Sequence, residues 1–112
     1  MNSIPNRPLN KTALAATVAG ELGVSLDDGF RALNAVLDSI TRTVVAGHDV
    51  TITNFGTFRA VQHPARIARN PQTGAPVPVP ARPAVHFRVA PRLREVVRGG
   101  DPAASIRKRP SK

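Results

Sequence analysis

Residues 65–80 read Ala65-Arg66-Ile67-Ala68-Arg69-Asn70-Pro71-Gln72-Thr73-Gly74-Ala75-Pro76-Val77-Pro78-Val79-Pro80, and the spacing of the prolines limits what this stretch can be. In an extended chain successive residues face opposite ways, so Pro76, Pro78 and Pro80 strip the N–H groups from one edge while Val77 and Val79 keep theirs on the other. Such a segment pairs with one neighbour only. Asn70 to Gly74 places Pro at the second position of a turn and Gly just after its tip, where a fixed φ and a left-handed residue are favoured. The expected element is a two-stranded ribbon with a blocked outer edge. Its upstream limb, Val61 to Asn70, would reach about 33 Å at ~3.3 Å per residue. Nothing in the ribbon is apolar enough to form a core, so it is expected to project into solvent carrying Arg66, Arg69 and Arg82. A proline-rich linker in polyproline conformation is the alternative reading of these residues.

On the N-terminal side, Val50 and Ile52 alternate with Thr51 and Thr53, Asn54-Phe55-Gly56 interrupts, and Thr57 to Gln62 resumes the alternation. That pattern is a hairpin. Before Gly47 the period is helical. Phe30, Leu33, Leu37, Ile40 and Val44 recur at intervals of three and four in a helix that opens at Ser25, with Asp28 completing a weak capping box, and ends near Ala46. Val36 and Val45 widen this stripe beyond what one short helix can cover, so a second copy of the chain is expected to bury part of it. A first helix spans Lys11 to Leu22 with Asn10 as N-cap, places Leu14, Ala15, Val18 and Leu22 on one face, and stops at Gly23. Gly20 inside it costs up to about 1 kcal/mol relative to Ala. On the C-terminal side, Pro76 to Val89 forms a third extended stretch, and Pro91 to Arg98 a short helix that begins with Pro. Residues 1–8 read as a flexible leader, and the stretch after Gly99-Gly100 as a disordered basic tail.

The 112 residues suit one domain. Net charge is +9, and it is unevenly placed: residues 1–58 carry four basic and five acidic side chains, residues 59–112 twelve basic and two acidic. A neutral half suited to packing is followed by a cationic half suited to a polyanion, with nucleic acid the leading candidate. Almost all the basic groups are Arg, whose planar fork grips phosphate and enters narrow grooves. The absence of Cys excludes disulfides and thiolate metal sites, and the three His stand apart in sequence, so neither a metal nor another cofactor is expected. No apolar run approaches a membrane span and the first residues lack a signal-peptide pattern, so a soluble intracellular chain is expected, without a membrane partner.

The order helix, helix, hairpin, basic arm, short helix, together with Leu9-Asn10-Lys11-Thr12, Asn54-Phe55-Gly56-Thr57-Phe58 and Ala65 to Gly74, resembles the HU and integration-host-factor family of bacterial histone-like DNA-binding proteins. The resemblance covers about residues 9–98, and Arg69-Asn70-Pro71-Gln72-Thr73-Gly74 is its most specific part. It implies an α+β fold: an N-terminal helical hairpin, a three-stranded antiparallel sheet with a long protruding β-ribbon arm (about 61–82), a short C-terminal helix and an intertwined dimer. It implies a double-stranded DNA partner, self-association as a homodimer or with a paralogue, and a cytoplasmic, nucleoid-associated protein that bends or compacts DNA through the minor groove with low sequence specificity.

Position by position, the resemblance makes Pro71 the intercalating wedge, Arg66, Arg69 and Asn70 arm residues at the groove, and Arg88 a phosphate contact of the body. Lys11, Arg59, Arg82 and Arg92 complete the expected DNA-binding set. Phe55, Phe58 and Phe87, with Phe30, Leu33, Leu37, Ile40 and Val44, form the expected dimer core. Val61, His63, Ile67 and Pro91 depart from the basic residues common at those places. Three other functions fit parts of the sequence. An RNA-binding protein suits the charge, and a sequence-specific relative of integration host factor suits the arm. An enzyme would have to use His48, His63 or His86, which lack an i+4 His partner, a Gly-x-Ser-x-Gly or a phosphate loop nearby, so neither catalysis nor a small-molecule substrate is expected.

Overall fold

Asn10 and Ser25 open the first two helices. In the computed structural model, which describes residues 7–107, the Asn10 side chain accepts from the Ala13 N–H at 2.8 Å and starts α1 (Lys11–Leu22). Gly23, at φ 67°, closes it while the Val24 N–H returns to the Ala19 carbonyl. Ser25 accepts from the Asp28 N–H at 3.1 Å and starts α2 (Leu26–Val45). The Asp28 carboxylate turns to Arg31 at 3.5 Å, so half of the capping box forms.

The helices meet through small residues. A Cβ on Gly29 would stand 2.5 Å from the Ala15 carbonyl oxygen and 2.7 Å from the Ala19 Cβ. Only glycine allows this approach. Ala15, Ala19 and Leu33 are the buried hydrophobic residues among those described. This differs from the expected face of α1, since Leu14 and Leu22 are exposed: bringing the backbones together over the alanine side leaves the longer side chains at the rim. The close contact falls at Gly29, while Gly20 faces solvent.

Three strands form an antiparallel sheet in the order β1-β2-β5: β1 (Val50–Ile52), β2 (Gly56–His63) and β5 (Arg82–Val89). Asn54 makes the β1–β2 turn at φ 67°, a conformation its side chain tolerates, and the Phe55 N–H donates to the Ile52 carbonyl at 2.9 Å. β3 (Arg66–Arg69) and β4 (Pro76–Val79) form a separate two-stranded ribbon. α3 (Pro91–Gly99) follows β5, tied back where the Ala90 N–H meets the Phe55 carbonyl at 3.0 Å. No residue of α3 is buried.

The arm is thus interrupted at Pro64–Ala65 and Pro80–Ala81, where a continuous ribbon from Val61 was expected. Proline phase explains the break. In β4 the N–H groups available to β3 are those of Val77 and Val79, which pair with Ala68 and Arg66. In β2 the Ala60 N–H is taken from the β1 side by Asp49 Oδ1 at 2.9 Å, so the N–H groups of Arg59 and Val61 point to β5, and Pro83 falls on the outer edge of β5. Val79 and Arg82 both face inward although three residues apart, so the phase must invert between them. The extents are 60 × 32 × 29 Å. The radius of gyration is 19.4 Å, against about 13 Å for a compact chain of this length.

After α3 closes at Gly100 (φ 74°), Asp101 Oδ1 accepts from the Ala103 N–H at 2.9 Å, and Asn54 Nδ2 donates to the Ile106 carbonyl at 3.2 Å. Residues 101–107 therefore carry local structure. Most of the expected leader (residues 1–6) and the end of the basic tail (residues 108–112) lie outside the described residues. Among the described residues no helix is long and apolar enough to cross a membrane.

Candidate nucleic-acid interface

Alternation along β2 and β5 sorts the sheet into two chemically different faces. The register pairs Thr57 with Arg88, Arg59 with His86, Val61 with Ala84 and His63 with Arg82, so three arginines and two histidines share one face. The other face carries Gly56 with Val89, Phe58 with Phe87, Ala60 with Val85 and Gln62 with Pro83. Val50 and Ile52 of β1 fall opposite Phe58 and Gly56 on this apolar side. Phe87 packs against Phe58 at 4.8 Å and Phe55 at 5.6 Å between ring centroids, both tilted. Gly56 lies beneath that ring: a Cβ there would meet Phe87 at 2.5 Å.

Of the expected dimer core, Leu33 is buried, Phe30, Ile40, Val44, Phe55 and Phe58 are half-buried, and Leu37 and Phe87 are exposed. Val45 stands 81% exposed and Val97 70%. The chain exposes 9142 Å² of surface, where a folded monomer of 11.9 kDa exposes about 6,000 Å².

At the arm tip, the loop Pro71 to Gly74 is closed by the Gly74 N–H to the Asn70 carbonyl at 2.7 Å and the Asn70 N–H to the Ala75 carbonyl at 2.9 Å. Asn70 Oδ1 also accepts from the Gln72 N–H at 2.8 Å, and Arg69 Nη1 donates to the Gly74 carbonyl at 2.9 Å. Gly74 takes φ 72°. Together these bonds fix the loop and leave the Pro71 ring exposed at its end. Arg66 and Arg69 both lie on β3 but on opposite faces: Arg66 sits opposite Val79, Arg69 opposite Pro76.

Lys11 is exposed in the first turn of α1, far in sequence from the arm. Arg92 lies on α3 and pairs with Glu95 at 3.7 Å. Among the described residues, Arg59, Arg66, Arg69, Arg82 and Arg88 have no carboxylate within 4.0 Å. The juxtaposition of His63 and His86, with ring centroids 5.5 Å apart, was not anticipated from sequence. Period-two alternation alone carries no register, and register is what brings the two together.

The family model described as "Bacterial DNA-binding protein" matches residues 9–98, the span from the α1 cap through α3. The chain belongs to that family. The SPbeta prophage-derived DNA-binding protein HU 2 of Bacillus subtilis is 40% identical over 90 residues, which are 80% of this chain and 98% of the relative. DNA-binding protein HU of Geobacillus stearothermophilus is 38% identical, covering 80% of this chain and all of its own length. Among solved structures, an Anabaena HU–DNA cocrystal structure aligns with TM-score 0.71 and 32% identity over 80% of this chain and 97% of its own. The α+β architecture implied by the sequence is therefore the HU fold, with an arm broken at its root.

Proposed function

We propose that this HU-family chain is an architectural protein that binds duplex DNA through the minor groove, with low sequence specificity, and bends it. The observation that carries the reading is the arm: an exposed Pro71 on a turn fixed by Asn70 and Gly74, backed by arginines that no carboxylate among the described residues neutralises. A pyrrolidine ring has no donor and presents a flat apolar face, so it can enter a base step, unstacking it for a few kcal/mol, which added backbone contacts return. Arg66, Arg69 and Asn70 flank the wedge. Arg59, Arg82 and Arg88 offer phosphate contacts on the sheet, and Lys11 and Arg92 extend them.

The functional unit in this reading is a dimer, cytoplasmic and nucleoid-associated. The excess exposed surface is about 3,000 Å² per chain, against roughly 1,000–2,500 Å² per partner buried in obligate homodimer interfaces. Some of it belongs to the arm. The rest includes Val36, Leu37, Val45 and Phe87, which a second chain would cover. Two chains present two arms, and each wedge adds its own kink to the duplex.

Gel shifts on linear, nicked and four-way-junction DNA over a salt gradient test the reading. Flexible or pre-bent substrates should bind tightest, because less deformation energy is spent. Log affinity should fall linearly with log salt, by about 0.9 per phosphate contact. Equal affinity for all three substrates, or preference for duplex RNA, would contradict it.

A further inference from the structure

His63 and His86 are remote in sequence, yet the β2–β5 ladder sets them on one face with ring centroids 5.5 Å apart and a 49° tilt. Their strand partners are Arg82 and Arg59, and Arg88 lies further along the same face. Beside His63, where the arm breaks, His63, Pro64, Arg66, Val79, Pro80 and Arg82 line a concavity of about 190 Å³. Three of those six residues are basic in kind, and none is acidic. An acidic residue, Asp49, immediately precedes β1, and continuing the β1–β2 register by one step sets it opposite Arg59. It is tied down by the Ala60 N–H at 2.9 Å. From α2, which lies against β1 and β2, the last charged side chain is Arg42, paired with Asp38 at 3.8 Å.

We propose that His63 and His86 form, with Arg82 and Arg66, a phosphate-binding cluster at the root of the arm whose hold on DNA strengthens when the imidazoles are protonated. The inference rests on the duplex-binding reading and adds a pH dependence to it. Imidazole is the side chain whose charge changes between about pH 5 and 8. A phosphate placed in the concavity adds a negative charge that favours the charged imidazole, so complex formation takes up protons. The charged imidazolium donates from both ring nitrogens, which a neutral ring cannot do. By linkage, affinity must then rise as pH falls, by at most two powers of ten per pH unit if both rings take part. The arginine arrangement also explains why an anion, and not a metal cation, suits the pair.

The test is the affinity of the full chain for a fluorescent duplex, read by anisotropy at constant ionic strength from about pH 8.0 to about pH 5.5. Wild type should tighten about tenfold or more across this range. His63→Gln/His86→Gln should change less than about threefold, while His48→Gln, altered outside the cluster, should behave as wild type. His63→Arg/His86→Arg should bind at high pH as wild type does at low pH, and this variant retains the charge if the glutamine pair disturbs folding. A wild-type affinity indifferent to pH, or an unchanged pH response in both double variants, would overturn the inference while leaving duplex binding intact. Failure of wild type to bind duplex at any pH would overturn the duplex-binding reading and this inference with it.

Discussion

Phe58 and Phe87 face one another across the β2–β5 ladder with ring centroids 4.8 Å apart, yet Phe87 keeps 43% of its surface exposed. A phenylalanine packed against two other rings on an apolar sheet face is ordinarily buried. If a second chain covers it, Phe87→Ala should cost about 3–5 kcal/mol, the range for truncating a buried ring. Urea unfolding should show a midpoint that rises with protein concentration, and wild type should sediment as a dimer at micromolar concentration. A destabilisation under about 1.5 kcal/mol with no concentration dependence would mark the ring as a surface group.

Gly29 sets the helix crossing. A valine there would drive a Cβ into the Ala15 carbonyl, a backbone atom that cannot swing aside. Gly29→Val should destabilise by about 1–3 kcal/mol as overpacking, seen as a lower thermal midpoint. Gly20→Ala, on the exposed side of α1, should be neutral or stabilising by up to about 1 kcal/mol.

Much of this fold could be read from local chemistry. Asn10, Ser25, Gly23 and Gly47 punctuate the helices because caps and left-handed stops depend on residues adjacent in sequence. The turn at Asn70 to Gly74 was readable for the same reason. The buried face of α1 was not, because hydropathy ranks Leu14 and Leu22 above Ala15 and Ala19, and only the mate at Gly29 reveals that small residues are wanted. The break in the arm was implicit in the odd spacing between Pro80 and Pro83, but it becomes visible only when both strands' pairing phases are known. The Arg66 and Arg69 positions were readable, their opposite faces less so, and the His63–His86 pair required the register.

Pro76 and Pro78 guard the outer edge of the ribbon. Replacing both by Val supplies two N–H groups to a free edge without disturbing the Val77 and Val79 bonds to β3. Pro76→Val/Pro78→Val is expected to self-associate through its arms, detected as concentration-dependent light scattering that wild type lacks.

Arg66 and Arg69 act in the proposed complex as phosphate and groove contacts. Replacing both by Gln should weaken binding evenly across DNA sequences and make the salt slope shallower by up to about 0.9 for each phosphate that the arginine neutralised. A change confined to particular sequences would instead assign them base readout.

Pro71 carries the central claim, and end-to-end fluorescence transfer on a doubly labelled duplex reports on it most directly. Wild-type protein should raise transfer by bringing the duplex ends together. Pro71→Ala should still bind and keep its fold, since the loop bonds of Asn70 and Gly74 do not involve the ring, but it should bend the duplex less. Equal transfer for the two proteins at saturation would contradict a wedge at the arm tip.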